Sequence, residues 1–254
     1  MNPRRWSRDP NNHPEHFLPR ADPIERTFGK TMQRLTVELH SHTYHSTDSL
    51  LSPERLLDIC VRKGIDRIAI TDHNTTAGAF HAAALDPERV IIGEEIKTTK
   101  GELLGYFLQE EIPQGLSPQE TISMLRDQRA FISVSHPFDH TRSGSWAEED
   151  LRRILEQVDA IETYNARTWS DRPNRKALEF ALDAGLLQTA GSDSHAPAEV
   201  GQTVVKMPTF HDAQTFRKAL ADAEIFGRRS CPLVHLYSRY ATWRKRLGWT
   251  PPGR

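Results

Sequence analysis

The chain has 254 residues, of which 33 are Lys or Arg and 34 are Asp or Glu, so its formal net charge is −1. This balance gives no electrostatic basis for tight non-specific nucleic-acid binding, and only two cysteines, Cys60 and Cys231, argue against a disulfide framework. No apolar stretch approaches the roughly 20 residues that span a bilayer, and no secretory signal is recognisable, which predicts a cytoplasmic protein without a membrane partner.

The chain divides near residue 32. Residues 1–32 are rich in Arg, Asn, Pro and Asp and show little periodicity, which predicts a tail or a surface wrap. Residues 33–254 alternate apolar and helical stretches, so we expect them to form one domain with C-terminal helices.

Predicted strands begin at Leu35, cover 66–71, 90–93 and 103–108, begin again at Phe131, and continue over 158–164, from Leu187, and over 202–206. Predicted helices run from Ser52 to Lys63, over 76–84, from Ser117 to Arg129, and over 147–157, 173–184, 211–223 and 234–247. Repeated strand–helix units of this kind predict a parallel sheet with helical crossovers. The last helix has Leu236, Tyr240, Trp243 and Leu247 at helical spacing, which predicts a packing helix rather than a partner site.

Six apolar runs end in His, Asp, Glu or Asn. They read LTVELHSH from Leu35, RIAITDH from Arg67, VIIGEE from Val90, FISVSH from Phe131, AIETYN from Ala160 and LQTAGSDSH from Leu187. Because the carboxyl ends of parallel strands meet at one mouth of a sheet or barrel, these side chains are expected to lie together. The pattern indicates a metal-dependent enzyme.

The ligand types narrow the chemistry of this site. His40 and His42 are two residues apart on a strand, so both imidazoles can reach one ion. Asp72 could orient His73, and one of the two adjacent glutamates at 94 and 95 could bridge ions while the other faces away. A set of imidazoles and carboxylates suits Zn²⁺, Mn²⁺ or Fe²⁺, and its size predicts two or three ions that share a bridging glutamate.

These motifs resemble those of a known family. The motifs are His40-x-His42-Thr, Ser46…Asp48, Ile70-Thr-Asp-His73-Asn, Gly93-x-Glu95, Ser135-His136-Pro137 and Gly191-Ser-Asp-Ser-His195. In this order, over about residues 35 to 206, they are similar to the PHP (polymerase and histidinol phosphatase) metal-dependent phosphoesterases. The resemblance implies an α/β fold, a distorted (β/α)₇ TIM-like barrel, with a trinuclear metal site at the C-terminal rim.

The resemblance also implies three ligand sets. The first ion would be held by His40, His42, Glu95 and Asp193, the second by Glu95, His136 and Glu102, and the third by Asp48, His73 and His195. Many family members have histidine at the position of Glu102. Glutamate in place of histidine keeps a side chain that can bind metal but changes the charge of that side chain.

Three residues are candidates for catalysis or for substrate binding. Asp193 or His195 could assist the leaving group, and Arg167 in Asn165-Ala-Arg167, a segment similar to some relatives, could anchor a phosphate or form a surface ion pair. Weaker candidates are Arg142, His140 and Lys97, and the loop over 137–146 could cover the site.

The resulting functional prediction is hydrolysis of a phosphomonoester or phosphodiester, in a nucleotide, a short oligonucleotide or RNA 5′ end, or another small phosphorylated molecule. Histidinol phosphate is an alternative substrate. Two other classes stay open, a non-catalytic metal-binding accessory module and a C–N hydrolase of the amidohydrolase type, which the Thr-Asp-His motif fits poorly. No stable nucleic-acid complex is expected.

Overall fold

The computed structural model describes residues 33–251, so the predicted tail over 1–32 lies outside the described residues. Within them, nine strands form one sheet in the order β7-β6-β5-β4-β3-β2-β1-β8-β9. The strands are β1 (Arg34–Glu38), β2 (Arg67–Ile70), β3 (Val90–Lys97), β4 (Glu102–Tyr106), β5 (Phe131–Val134), β6 (Ala160–Asn165), β7 (Leu187–Gly191), β8 (Thr203–Pro208) and β9 (Glu224–Gly227).

Seven helices connect or follow these strands in the described part of the chain. They are α1 (Pro53–Lys63), α2 (Ala77–Leu85), α3 (Pro118–Asp127), α4 (Glu148–Arg152), α5 (Arg172–Ala184), α6 (Ala213–Ala221) and α7 (Val234–Arg246). Serine N-caps begin two of these helices, since the Ser52 and Ser117 side chains accept backbone N–H groups at the starts of α1 and α3. Gly64, with φ of 65°, ends α1 in the left-handed conformation that favours glycine. None of these helices has the length and apolar character needed to cross a bilayer.

The sheet curves into a nearly closed barrel, which confirms the predicted fold class. One buried cluster contains residues from β1 to β8 together with Phe216 of α6, so the strands surround a common core. The ends of β1 and β7 approach each other through a parallel bridge between Ser41 and Ser194, and the His42 N–H donates to the Ser194 carbonyl at 2.8 Å. Glycine at 191 permits this approach, because a Cβ there would overlap His40.

The prediction of an all-parallel sheet is wrong at two strands. β4 runs antiparallel to both β3 and β5, and β8 runs antiparallel to β1. Only the short turn from Thr98 to Gly101 separates β3 from β4, whereas a parallel pair needs a crossover of a dozen or more residues. The predicted helix over 147–157 is likewise shorter, since α4 is followed by a 3₁₀ turn at Leu155–Gln157.

The structure also changes the interpretation of α7. Ala241 is its one buried residue, whereas Leu236, Tyr240, Trp243 and Leu247 are exposed by 58, 48, 56 and 66%. The prediction that these four side chains pack against the barrel is therefore wrong. Helical spacing identifies an apolar face of a helix but does not determine whether that face meets the core.

The two adjacent glutamates of β3, Glu94 and Glu95, face different environments. Glu94 turns away from the site and accepts the Ile112 N–H at 2.9 Å, while its other carboxylate oxygen is buried without a hydrogen-bond partner among the described residues. Burial raises the pKa of Glu94 to about 8, with Ile112 opposing the shift. The folded state therefore keeps this carboxyl protonated at pH values where the unfolded chain releases the proton.

We expect Glu94→Gln to change the pH dependence of stability. Because the native pKa of Glu94 is raised above its unfolded value, the stability it contributes is present below about pH 4.5 and is lost as the pH rises towards about 8. The uncharged glutamine should therefore raise the melting temperature near pH 9, by an amount corresponding to about 2 kcal/mol, and much less near pH 5. Thermal unfolding followed by circular dichroism at both pH values measures this. An equal change in melting temperature near pH 5 and near pH 9 would contradict this prediction.

Candidate metal centre

Neighbouring polar groups orient His40 and His42 at the rim beyond β1. His40 Nδ1 lies 2.9 Å from Glu162 Oε1, and His42 Nδ1 lies 3.0 Å from Ser46 Oγ. Each Nδ1 is thereby engaged, so each Nε2 points into the site. The two Nε2 atoms lie 3.3 and 3.4 Å from Glu95 Oε2. This is how metal-binding histidines are commonly held, with the second ring nitrogen fixed by a carboxylate or hydroxyl.

Glu95 occupies the centre of the site. In addition to His40 and His42, its carboxylate contacts His73 Nδ1 and His136 Nε2, both at 3.0 Å. The Ser135 hydroxyl donates to Oε1 at 2.5 Å. A carboxylate with histidines on both oxygens has the geometry expected of a group that bridges two ions.

Asp193 completes the first predicted ligand set. Its Oδ1 lies 3.2 Å from His42 Nε2 and 3.7 Å from His40 Nε2. The ligand-type atoms of His40, His42 and Asp193 all lie within 4.8 Å of one another. A single cation could contact all three.

The second set contains Glu102, the residue that departs from the family pattern. His136 Nε2 lies 3.6 Å from Glu102 Oε2, and ligand-type atoms of Glu95, Glu102 and His136 fall within 4.8 Å of one another. Gly144 packs directly against the Glu102 carboxylate, where a Cβ would overlap it. Glu102 is buried, so its carboxylate belongs to the site and not to the solvated surface.

The third set lies towards the solvent side of the rim. Asp48 Oδ2 is 3.0 Å from His195 Nε2, and its Oδ1 is 3.7 Å from His73 Nε2. His42 also approaches this set, since ligand-type atoms of His42, His73 and His195 lie within 4.8 Å of one another. The structure thus places all nine predicted metal ligands at one rim, and their metal-binding roles remain a prediction.

Buried opposite charges shift the pKa values of the site strongly. Burial alone would raise the pKa of Glu95, but the charges of His40 and His73 hold it well below its usual range. Burial alone would lower the pKa of His73, but Glu95 and Asp48 raise it to about 10. His42 differs, because burial together with the charges of His195 and His73 lowers its pKa well below the ordinary value. Without bound ions, protons on histidines therefore balance the carboxylates.

The donor atoms themselves fit divalent cations. His40 Nε2, His42 Nε2, Glu95 Oε2 and His195 Nε2 are buried, and apart from the ion-pair contacts described above they form no hydrogen bond among the described residues. Buried polar atoms are normally satisfied, so several unsatisfied ones that face each other call for a missing partner. The set contains nitrogen and oxygen donors and no thiolate, which suits Zn²⁺, Mn²⁺ or Fe²⁺.

Arg167 is buried against protein groups. Its Nη1 lies 2.5 Å from His195 Nδ1, its Nη2 donates to Ser238 Oγ at 2.8 Å, and its Nε lies 3.2 Å from Glu199 Oε1. The guanidinium is thus largely occupied, and the surface-ion-pair alternative does not apply because the residue is only 5% exposed. These contacts favour a role in positioning His195 over direct anchoring of phosphate.

A pocket of about 430 Å³ opens above the candidate ligands. Arg142 reaches it from the loop over 137–146, where it pairs with Asp193 and with Asp139 at 3.0 Å. The pocket is also lined by His235, Ser238 and Arg239 of α7 and by Trp169, whose ring stacks on His235 at 4.5 Å. The weaker candidates His140 and Lys97 instead contact Ser145 and Ser143 and are not among the residues that line this pocket.

Asp72 does not orient His73 as predicted. Its carboxylate instead accepts hydrogen bonds from the Thr43 N–H and hydroxyl, each at 2.6 Å, and from the Ser46 hydroxyl at 2.6 Å. Asp72 therefore holds the loop that carries Ser46, which in turn contacts His42. The aspartate follows β2, and at that point its side chain turns to the neighbouring loop.

Sequence reasoning assigned no role to Glu162. Its Oε1 holds His40, and its Oε2 accepts the His136 N–H at 2.9 Å and the Asn165 side-chain amide at 3.1 Å. The available signal is its place within β6, in one of the six apolar runs.

We expect Glu162→Gln to weaken metal binding by about 10–100-fold, because removing the partner of a ligating histidine loosens its orientation and lowers its basicity. Titration of the chelator-treated protein with Mn²⁺ measures the change. Glu179→Gln, at an exposed position on α5, is the matched control and should bind as the unmodified protein does. Equal affinity in the two variants would show that Glu162 does not support the site.

Two protein-family models and a sequence relative match this chain. The model of the PHP domain matches residues 38–182, and the model of the PHP-associated region matches residues 171–225. The uncharacterized protein MJ0417 of Methanocaldococcus jannaschii is 39% identical over 176 residues, which cover 68% of this chain and 70% of that protein.

Solved structures show a similar fold. A two-domain protein from Bacteroides vulgatus that contains a predicted PHP-like metal-dependent phosphoesterase matches with a TM-score of 0.64 and 19% identity, over 78% of this chain and 66% of that one. The lesion-specific endonuclease EndoQ from Pyrococcus furiosus matches with a TM-score of 0.55 and 14% identity, over 76% of this chain and 58% of that one. The chain therefore spans less than two thirds of either of these structures.

Proposed function

The chain belongs to the PHP family, and we propose that it is a metal-dependent phosphoesterase that hydrolyses a phosphomonoester or phosphodiester of a small phosphorylated molecule. The observation that carries this proposal is the convergence of nine imidazole and carboxylate side chains, with unsatisfied buried donor atoms, beneath one open pocket. A purely structural histidine cluster would have no need of such a pocket.

The proposed ligand sets are those implied by the family. His40, His42, Glu95 and Asp193 would hold one ion, Glu95 would bridge to a second ion with His136 and Glu102, and Asp48, His73 and His195 would hold a third. Two or three divalent ions bound there would supply positive charge for the phosphoryl oxygens and an activated water.

The remaining groups are proposed to bind and orient the substrate. Arg142 lines the pocket, and its position beside Asp193 is set by Asp139 and Asn165. Burial alone would lower the pKa of Arg142, but Asp193 raises it, so the guanidinium stays charged and can pair with phosphate oxygens. We propose Asp193 or His195 as the group that assists the leaving group, with Arg167 holding His195 in place.

The pocket favours a small substrate with a planar ring. Its volume of about 430 Å³ lies in the range of small-molecule sites, and the stacked pair of Trp169 and His235 offers an aromatic surface. A nucleotide or the end of a short oligonucleotide fits both features. Histidinol phosphate, which also carries a ring, is the second candidate substrate.

We expect the purified protein with Mn²⁺ to hydrolyse p-nitrophenyl phosphate or its bis-ester, and His42→Ala to abolish this activity. The reason is that His42 contacts both Glu95 and Asp193, so its loss opens the centre of the site. His211→Ala, at an exposed histidine, is the control and should stay active. Full activity of the His42 variant with unchanged metal content would refute the assignment.

A substrate panel separates the alternatives. Initial rates on nucleotide bisphosphates, histidinol phosphate and short 5′-phosphorylated RNA would rank the phosphoester substrates, and amide substrates would test C–N hydrolysis. A metal-replete protein that hydrolyses none of them would instead favour the accessory-module alternative.

A further inference from the structure

Helix α7 presents a continuous apolar stripe to solvent. Leu233, Leu236, Tyr240, Trp243 and Leu247 recur at alternating spacings of three and four residues, and they are exposed by 68, 58, 48, 56 and 66%. They are five of the twelve large hydrophobic side chains exposed within residues 33–251. A contiguous exposed patch of this kind marks an interaction site more often than single exposed side chains do.

The other face of α7 fixes the orientation of the helix. Ser238 accepts a hydrogen bond from Arg167 at 2.8 Å, and Ala241 is fully buried. Near the C-terminus, Lys245 Nζ donates to the backbone carbonyls of Tyr44 and Ser46, in the loop that also carries a candidate metal ligand. Turning the stripe inward would break these contacts, so the stripe faces solvent as a consequence of how α7 is attached.

The charged residues in the C-terminal segment that contains the stripe are all basic. Residues 228–254 contain seven Arg or Lys and no Asp or Glu, whereas residues 1–227 contain 26 basic and 34 acidic residues. At about 100° of rotation per residue, Arg246 borders one edge of the stripe and Arg244 the other. Neither forms an ion pair with another side chain in the described part of the chain, and Arg244 instead lies over the Tyr240 ring at 6.0 Å.

We propose that α7 docks this protein peripherally on an anionic lipid surface. An apolar stripe of Leu, Trp and Tyr with arginines at its borders matches both the acyl region and the negatively charged headgroups of such a surface. This proposal departs from the sequence-based expectation of no membrane partner, which considered only spanning segments.

Other candidate binding partners match the apolar stripe and its basic borders less well than an anionic lipid surface does. A second copy would bring the same basic borders together in a symmetric pair, which is repulsive. Residues 1–32 contain six basic and four acidic residues, so they offer no complementary charge. A nucleic acid would pair with the arginines but would leave three exposed leucines without an apolar partner.

Docking through α7 would bring the pocket close to the lipid headgroups. His235, Ser238 and Arg239 belong to the same helix and line the pocket. The proposal does not depend on the phosphoesterase assignment, because the binding surface and the candidate metal ligands are different residues.

Vesicle flotation tests this proposal with the whole 254-residue chain. We expect it to float with vesicles of phosphatidylcholine and phosphatidylglycerol at low salt, less at high salt, and not with phosphatidylcholine alone. The double variant Leu236→Ser/Trp243→Ser should reduce binding at least about tenfold, because it removes two large apolar side chains from the stripe. The matched control, Leu178→Ser/Leu182→Ser on α5, replaces two other exposed leucines and should bind normally.

A second variant tests the charged borders. Arg244→Gln/Arg246→Gln should weaken binding about tenfold and make it less sensitive to salt. Circular dichroism and the rate on a soluble ester should be unchanged in all these variants, since none of the replaced residues lines the pocket. The proposal is overturned if the folded wild-type protein does not bind anionic vesicles, or if Leu236→Ser/Trp243→Ser binds them as well as the Leu178→Ser/Leu182→Ser control does. It is also overturned if the only effect of the α7 variant is to dissociate a dimer or to abolish single-stranded DNA binding.

Discussion

Glu95→Gln should leave the protein folded but reduce the proposed phosphoesterase activity by about a thousand-fold. Glu95 contacts four histidines, and the substitution removes its negative charge and one acceptor oxygen while keeping its shape. A metal centre contributes several kcal/mol of transition-state stabilisation, and each 1.4 kcal/mol corresponds to about tenfold in rate. Metal content measured by inductively coupled plasma mass spectrometry should fall in parallel with the rate.

The neighbouring residue provides a matched control for this experiment. Glu94→Gln makes the same chemical change one position earlier on β3, but that side chain faces Ile112 instead of the site. It should therefore keep its metal content and activity while changing only the pH dependence of stability. Equal loss of activity in the two variants would mean that Glu95 has no special role.

Asp72→Ala should destabilise the protein by about 3–5 kcal/mol and lower its affinity for metal. The buried carboxylate accepts hydrogen bonds from the backbone and hydroxyl groups of Thr43 and Ser46. Leaving several buried donors without an acceptor costs about 1–3 kcal/mol for each, and local relaxation recovers part of this. Ser46 would lose its anchor, and with it His42 would lose its orientation.

Urea unfolding in the presence of a chelator measures the structural effect of Asp72 separately from metal binding. Asp58→Ala is the control, because Asp58 pairs with Arg55 and Arg62 at the exposed surface of α1, and such pairs contribute less than about 1 kcal/mol. If the Asp72 variant unfolded at the same urea concentration as the Asp58 variant, the proposed role of Asp72 would be wrong.

Seven of the nine candidate ligands are predictable from the sequence because they follow apolar runs, whereas Asp48, in a loop, and Glu102, at the start of β4, come only from the family resemblance. Those positions are predictable from local pattern, and the barrel then brings them together at one rim. The partners that orient the ligands were not predictable in the same way. Glu162 contacts His40 across 122 residues of chain, and no local spacing encodes that pairing.

Two other differences between the predicted and the observed structure also have specific physical causes. β9 was missed because its residues are mostly exposed, so they show no buried apolar run. The stripe on α7 has the periodicity of a packing helix, but Ser238, Ala241 and Lys245 face the barrel instead. A small residue and two hydrogen-bonding side chains hold α7 in place there, which the hydrophobic pattern alone does not reveal.

The most direct measurement of the central claim is anomalous diffraction from crystals grown with Mn²⁺, combined with elemental analysis of the same protein. The account predicts two or three ions per chain, one of them shared through Glu95 and the others within reach of His136 and of Asp48 with His195. A folded protein that retains no ion after incubation with Mn²⁺, Zn²⁺ and Fe²⁺, or ions bound away from this rim, would contradict it.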